Sequence, residues 1–417
     1  MPTNNPGRKT IALIEYDWCG HHSVWYKLYT KVLVEHGYDV VGFCPAPEEM
    51  EQWAGESLGA DSQKSCEFIY RGIRKLPHWI PVRLRQRVSS AVQYLSLVWV
   101  LKRWQRQAGK RIDLVFFTCI YDYNFEYFND VAHFFEFPVS GLYLHCRSIR
   151  MPGSPIPQSG RLPCLEKFWG RKPFCSLAVL DEGAQAEVEK LGKGLPVVWM
   201  PDVTTANLPK VNGQGIVAKL SRYALGEPIL LLAGQIQPTK GAELFCDVAD
   251  IMREDKICFA IVGDVAWGAF SAISRDKLRR VAEQSRNVFA HFARVPDEDI
   301  NACIAKSDVI FAAYQSFPNS SNILSKAAQF GKPIIVSDGY LMAERVRKFR
   351  LGAVIPEDDV EAGVNAVREI ISDPAGWCRE TKPDWEGYLE EHSEKKLSEA
   401  FAELVNKSLK CSSSSRA

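Results

Sequence analysis

The sequence lacks the spacing signatures of several protein classes. None of its twelve cysteines lies in a CxxC pair, and the closest two, Cys164 and Cys175, are eleven residues apart. This spacing excludes the usual structural zinc sites and indicates reduced thiols. No GxGxxG motif is present, so a nicotinamide or flavin cofactor has little support.

Long hydrophobic runs are missing as well. The first ten residues, MPTNNPGRKT, contain no apolar core of a secretion signal. No apolar run approaches the roughly 18 residues that span a membrane. We therefore expect a cytoplasmic protein, with any membrane association peripheral and at the inner face.

Acidic residues are absent from one segment. The chain has a formal net charge of +1, but Phe68 to Ile112 contains eleven lysines or arginines and no Asp or Glu. The remainder carries 40 basic and 50 acidic residues. This distribution argues against a general nucleic-acid binder and favours one local contact with an anionic partner.

The same segment has a helical pattern with two apolar stripes. One stripe contains Val88, Ala91, Val92, Leu95, Val98 and Trp99, and the other contains Tyr94, Leu97, Leu101 and Trp104. Basic residues flank the pattern at Arg83, Arg85, Arg87, Lys102, Arg103 and Arg106. Either one stripe packs on a sheet while the other contacts an anionic membrane through residues 71–111, or both stripes are buried.

Strand and helix patterns alternate along the 417 residues, which is too long for one ordinary core. Short apolar runs of strand character begin with IALIEYDW and YDVVGFCP in the first half and with PILLLAGQ and ICFAIVGD in the second. Buried parallel strands have this composition. The pattern predicts an α/β fold of two doubly wound, Rossmann-like domains facing a cleft, with C-terminal helices.

Composition shifts set the expected boundaries. We expect a disordered leader at 1–9, a first Rossmann-like domain at 10–205, a linker or hinge at 206–226 and a second Rossmann-like domain at 227–385. A helix at 386–410 is expected to pack back on the first domain, followed by a disordered tail at 411–417.

Two stretches after predicted strands contain anion-binding features. In AGQIQPTKGAELF, Lys240 and Gly241 open a helix, where an ammonium and helix amides can meet a phosphate. In YQSFPNSSNILSKAAQFGKP, small polar residues open a helix that lacks acidic residues. Alternatively, Lys240 is a solvated surface lysine and the second stretch is a plain capped helix.

These stretches resemble the donor-binding motifs of GT-B glycosyltransferases, in particular glycosyltransferase family 4. The matches are Gly234 to Gly241 for the G-R-L-x-x-x-K-G loop and Lys326 to Ile335 for the E-A-M-A-x-G-K-P-V-I segment. The resemblance extends to IVGD at 261–264, to Arg294-Val295 and to MPDV at 200–203. It covers most of the chain and implies that residues 10–205 bind the acceptor and residues 227–385 bind the nucleotide sugar.

Two departures change the donor motif. Gln235 stands where the family has a diphosphate-binding arginine, and Lys326 stands where it has a ribose-binding carboxylate. We expect Lys326 to restore the missing positive charge, with Ser320, Ser321 and Asn322 as neutral donors.

The resemblance implies a nucleotide diphosphate sugar as donor, no metal and no other cofactor. The expected donor-binding residues are Gly20, His21, Gln235, Lys240, Gly263, Asp264, Arg294, Val295, Ser320, Ser321, Asn322, Ile323 and Lys326. His145, at the end of the VSGLYLH strand, is the expected catalytic residue that positions the acceptor. His22, Asp122 and Asn124 are the expected acceptor-binding residues.

The implied activity is sugar transfer to a glycan or a lipid-linked acceptor with retention of configuration. Two alternatives remain open: an inactive sugar-nucleotide-binding or scaffold protein, and a nucleotide-sugar epimerase. The motif's first glutamate is also absent, whether it is aligned with Gln315 or with Pro318. The loss of both motif carboxylates argues against the epimerase, which needs carboxylates to assist cleavage of the sugar C–O bond.

Overall fold

The computed structural model describes residues 7–18, 22–72, 82–120, 134–144, 146–151, 173–209 and 215–414. Two compact units divide the chain: residues 1–200 with 395–417 form unit 1, and residues 201–394 form unit 2. Both have an α/β fold, as the alternating strand and helix patterns predict.

Unit 1 contains a parallel seven-stranded sheet with the order β3-β2-β1-β4-β5-β6-β7. Its strands are β1 (Thr10–Ile14), β2 (Asp39–Cys44), β3 (Cys66–Tyr70), β4 (Ile112–Ile120), β5 (Val139–Tyr143), β6 (Leu177–Val179) and β7 (Val197–Trp199). Its helices before residue 200 include α1 (His22–Glu35), α2 (Pro47–Ser57), α3 (Ala60–Gln63), α4 (Val82–Ala108), α5 (Arg147–Arg150) and α6 (Gln185–Leu191). The strand order reverses between β1 and β4, which makes their carboxyl ends the expected ligand-binding edge.

Unit 2 contains a parallel six-stranded sheet with the order β10-β9-β8-β11-β12-β13. Its strands are β8 (Ile229–Ala233), β9 (Cys258–Val262), β10 (Val288–His291), β11 (Val309–Ala312), β12 (Ile334–Ser337) and β13 (Gly352–Ile355). Its helices are α7 (Ile216–Ala224), α8 (Ala242–Ile251), α9 (Ala272–Gln284), α10 (Asp297–Lys306), α11 (Asn322–Gln329), α12 (Leu341–Phe349), α13 (Val360–Ile371), α14 (Pro374–Thr381) and α15 (Trp385–Glu391). Here the strand order reverses between β8 and β11.

The segment expected to be a linker contains a helix of unit 2. Ile216, Leu220 and Ala224 of α7 are buried in the core beneath the sheet because they recur every four residues along one face. The helix α15 also belongs to unit 2, since Tyr388 is fully buried in the same core. The predicted boundaries at 206–226 and 386 are therefore wrong.

The C-terminal helix (Glu394–Ser414) packs on unit 1. The ring of Phe401 lies 4.8 Å from the rings of Tyr29 and Phe116. The hydroxyls of Ser408 and Ser176 are 2.5 Å apart in the buried interface. The helix continues through residues 411–414, so the prediction of disorder is wrong for these residues, and residues 415–417 lie outside the described part of the chain.

The helix α4 presents one stripe to the core and splits the other: Val98 is buried and Ala91 packs against the core, while the remaining members are exposed. Tyr94, Leu97, Leu101 and Trp104 are buried in the core of unit 1, while Leu95 and Trp99 are exposed. The alternative in which both stripes are buried is therefore wrong. No helix in the described part of the chain is both long and apolar enough to span a bilayer.

Candidate functional site

The loop after β8 is pressed against the end of β11. Gly241 has a φ of +71°, and a Cβ at this position would lie 2.2 Å from the carbonyl oxygen of Ala313. Only glycine combines this left-handed backbone with so close an approach. The Gly234–Gly241 loop therefore lies next to the segment that leads from β11 into α11.

Lys240 is held by two aromatic rings of that segment. Its Nζ lies 3.9 Å from the ring centroid of Tyr314 and 4.6 Å from that of Phe317. The backbone N–H of Gln315 donates to the carbonyl of Thr239 at 3.0 Å. The two stretches that sequence reasoning selected separately thus meet at the point where the strand order reverses.

The start of α11 has no acidic residue in its first turn. Ser321 has extended backbone and is the N-cap residue, but its side chain accepts no hydrogen bond from the first turn. Positive potential from the helix dipole is therefore not offset by a local carboxylate. This start and Lys240 are the anion-binding features of unit 2.

Two amide oxygens in the connecting segment lack hydrogen bonds. Gln315 Oε1 and Asn319 Oδ1 are buried and have no partner among the described residues. Buried polar atoms nearly always have partners, so hydroxyl or N–H donors from a ligand or water would satisfy them.

Lys326 does not have the predicted role. Its side chain is 3% exposed, and Nζ donates to Asp297 Oδ1 at 2.5 Å and to Asn301 Oδ1 at 2.7 Å. Burial lowers the pKa of Lys326, although the hydrogen bond and charge of Asp297 oppose that shift. The ammonium is a buried link between α11 and α10 and not a replacement for the missing arginine.

Ser320 is also committed to internal contacts. Its hydroxyl donates to Asp202 Oδ2 and accepts from Arg345 Nη1 at 2.7 Å. A hydroxyl has one proton, which here is used on Asp202, so the prediction of Ser320 as a phosphate donor is wrong.

Sequence reasoning missed Arg345 entirely. Its side chain is 1% exposed, on the inner face of α12, although arginine is almost never fully buried without partners. Through Ser320 it places a guanidinium charge behind the start of α11. The only sequence signal is its position among Leu341, Met342 and Val346 on the apolar face of the helix.

The hydrogen bonds of Ser320 and Arg345 continue through Asp202, which lies at the start of unit 2. Asp202 is buried, its carbonyl accepts from Ser325 Oγ at 3.0 Å, and its N–H donates to His392 Nδ1 at 3.1 Å. The ring of His392 stacks on Tyr388 with centroids 4.3 Å apart. These contacts tie residue 202 to α11 and α15.

This arrangement predicts a pH dependence of stability. Burial lowers the pKa of His392 to about 2, with Arg345 and Lys348 adding to the shift. Below a pH of about 6.5 the unfolded chain binds a proton that the folded chain excludes, so the free energy of unfolding falls as pH falls. We expect a loss of about 2 kcal/mol between pH 7 and pH 5 from this group alone.

The test is urea unfolding of the His392→Asn variant at pH 7 and pH 5. Asparagine keeps an acceptor for the Asp202 N–H but does not titrate, so this part of the loss is expected to disappear. The matched control is His36→Asn at an exposed position, which should keep the full loss. Equal losses in wild type and His392→Asn would contradict the prediction.

The remaining predicted residues of unit 2 follow the ends of β8, β9 and β10 or begin α11. Gln235, Asp264 and Arg294 are exposed, whereas Val295 and Ile323 pack in the core. Gly263 has a φ of +148°, and a Cβ there would lie 1.7 Å from the carbonyl oxygen of Gly234. Gln235, Asp264 and Arg294 therefore remain predicted donor contacts.

Unit 1 contains a buried carboxylate at the end of β1. Glu15 Oε1 accepts from the backbone N–H groups of Tyr16 at 2.7 Å and Asp17 at 2.9 Å. Its Oε2 accepts from the Thr118 hydroxyl and lies 2.9 Å from His22 Nδ1. Sequence reasoning missed Glu15, although an acid directly after a buried strand was a usable signal.

Glu15 orients the ring of His22 and raises its pKa. Burial alone would lower the pKa of His22, but the hydrogen bond and negative charge of Glu15 outweigh burial and raise it. His22 opens α1, so its ring lies at the carboxyl edge of the sheet, where the sequence predicted an acceptor contact. Gly20, His21, Asp122, Asn124 and His145 lie outside the described residues.

Among the described residues, one group has metal-ligand spacing. The ligand atoms of Glu15, His22 and Cys119 lie within 4.8 Å of one another. Both carboxylate oxygens of Glu15 already accept two hydrogen bonds. A metal would have to displace some of these bonds, so the group fits a hydrogen-bonded carboxylate better than a metal centre.

Solved structures with two such units match nearly the whole chain. Sucrose-phosphate synthase from Thermosynechococcus elongatus aligns with a TM-score of 0.69 at 16% identity, covering 96% of this chain and 99% of that chain. HepE from Anabaena in complex with UDP and glucose aligns at 0.64 and 13%, covering 96% and 100%. WaaG, a glycosyltransferase involved in lipopolysaccharide biosynthesis, aligns at 0.60 and 13%, covering 94% and 98%.

These likenesses show the fold, which is that of GT-B glycosyltransferases. Residues 227–373 also match the family described as Glycosyl transferases group 1, so the predicted resemblance of the second half is confirmed. No curated protein matches the sequence. The family match spans the β8 loop, Lys240 and α11. The donor motif of this chain departs from the family pattern at Gln235 and Lys326.

Proposed function

We propose that the chain is a glycosyltransferase that moves a sugar from a nucleotide diphosphate sugar to a glycan or lipid-linked acceptor. The observation that carries the proposal is Lys240, held on Tyr314 and Phe317 beside the segment that opens α11. An ammonium and a helix start without acidic residues are complementary to a diphosphate. HepE, a structural neighbour, has been solved with UDP, which supports the donor class.

The same residues suit the leaving group of sugar transfer. Cleavage of the sugar–phosphate bond develops negative charge on the diphosphate, and preorganised positive groups stabilise that charge. Lys240 supplies one charge directly, whereas the charge of the buried Arg345 is offset by Asp202, which shares the Ser320 hydroxyl with it. Lys326 is excluded as a diphosphate contact because its ammonium already donates hydrogen bonds to Asp297 and Asn301.

The reaction needs no metal in this proposal, because protein cations take the place of a metal at the diphosphate. Retention of configuration rests on the resemblance to glycosyltransferase family 4. His22, oriented by Glu15, is our proposed contact for an acceptor hydroxyl.

The test is incubation of the full chain with a panel of nucleotide diphosphate sugars in the presence of EDTA. Slow release of free nucleoside diphosphate from one donor is expected, because water substitutes poorly for the acceptor. The Lys240→Met variant is the control and should release less nucleoside diphosphate than wild type. A binding or scaffold protein releases none, and an epimerase changes the sugar without releasing nucleotide, so either result would reject the proposal.

A further inference from the structure

One helix of unit 1 has an exposed apolar face. Val88, Val92, Leu95 and Trp99 follow one another at spacings of four, three and four residues, which places them on one side of α4. All four are exposed, and Trp99 is 56% exposed. Because large apolar side chains in a contiguous row mark an interaction site, this row, which we call the α4 stripe, requires a partner.

The charge around the α4 stripe is positive. The segment from Phe68 to Ile112 contains no acidic residue, and the Arg103 guanidinium lies 5.3 Å from the Trp99 ring centroid. Among the described residues, Glu136 pairs with Lys102 at 2.9 Å, and Glu67 accepts from Trp104 Nε1 on the buried stripe at 2.8 Å. An apolar row with basic neighbours is complementary to an anionic lipid surface, because the acyl chains take up the apolar side chains and the phosphates bind the basic ones.

The helix α4 also contacts the ligand-binding edge of the sheet. Arg71, directly after β3, donates to the carbonyl of Gln93 at 2.9 Å and to Ser96 Oγ at 2.5 Å. Gln93 and Ser96 therefore lie near this edge, and Val88 and Val92 of the α4 stripe precede them in the helix. Glu15 and His22 lie at the same carboxyl edge of the sheet.

We propose that the α4 stripe docks on an anionic membrane surface. Trp99 and Leu95 enter the interface between headgroups and acyl chains, and the basic side chains contact lipid phosphates. If the proposed glycosyl transfer holds, docking brings a lipid-linked acceptor toward the edge that carries His22.

The experiment is vesicle flotation of the full chain, which requires no turnover. Vesicles of phosphatidylcholine with about 30% phosphatidylglycerol should carry the protein at about 0.05 M salt and release most of it at about 0.5 M, because salt screens the basic residues. Vesicles of phosphatidylcholine alone should carry little. Failure of wild type to float with the anionic vesicles would overturn the proposal and leave the donor assay unaffected.

The matched variants are Leu95→Glu/Trp99→Glu on the α4 stripe and Ile273→Glu in unit 2, where Ile273 is 82% exposed. We expect about a tenfold lower bound-to-free ratio for the double variant and no change for Ile273→Glu, with circular dichroism confirming that both fold. Unchanged flotation of the double variant would refute the assignment. The assignment would also be refuted if wild type formed a dimer and bound no lipid while the double variant was a monomer. A second copy of the chain would then cover the α4 stripe.

Discussion

The Lys240→Met variant is expected to bind UDP or GDP about 10- to 100-fold more weakly than wild type, whichever of the two wild type prefers. A hydrogen bond to a charged group contributes about 1.5–3 kcal/mol, which corresponds to this range. Methionine keeps an apolar chain against Tyr314 and Phe317 but removes the ammonium. The measurement is titration calorimetry with each nucleotide.

The control is Lys256→Met, at an exposed lysine just before β9 and therefore at the opposite edge of the same sheet. Its affinity should equal that of wild type. Loss of the cation–π contacts in Lys240→Met costs about 0.5–1 kcal/mol of stability, which urea unfolding measures separately. An unchanged affinity in Lys240→Met would mean that the diphosphate does not bind at the β8 loop.

The features that the sequence predicted well are those with a local signal. Lys240 and Gly241 follow a strand and open a helix, and both the turn and its lysine lie where that pattern predicts. The exposed and buried stripes of α4 follow from helical periodicity in the same way. Periodicity did not decide which stripe faces the sheet, because that depends on the neighbouring strands.

The features that the sequence could not give depend on contacts between distant residues. Lys326 was expected to face a ligand, but its long side chain turns toward Asp297, 29 positions earlier. Ser320 meets Asp202 across 118 positions, and no local pattern encodes that distance. The short edge strands β3 and β13 have little local signal, because they have few residues and incomplete apolar patterns.

The buried network at the start of α11 explains how a divergent motif is compatible with a defined helix start. Asp202 and Arg345 both contact the Ser320 hydroxyl, so a carboxylate and a guanidinium fix this residue from two sides. The positive charge lost at position 235 is not restored within the loop. Arg345 on α12 does not restore it, because the Asp202 carboxylate contacts the same Ser320 hydroxyl.

Replacing Arg345 by methionine is therefore expected to lower the free energy of unfolding by about 3–5 kcal/mol, because Asp202 is left buried without a nearby cation. Urea unfolding followed by tryptophan fluorescence measures the loss. The control lies two residues away on the same helix: Arg347 pairs with Asp338 at 2.7 Å, but both side chains are about half exposed. Arg347→Met should cost less than about 1 kcal/mol.

The double variant Asp202→Asn/Arg345→Met separates charge from packing. Removing both charges should recover part of the stability lost in Arg345→Met, since the asparagine can still accept from Ser320 and bears no uncompensated charge. A loss in Arg345→Met no larger than that in Arg347→Met would show that Arg345 is not needed to balance Asp202. In that case the guanidinium does not hold the start of α11.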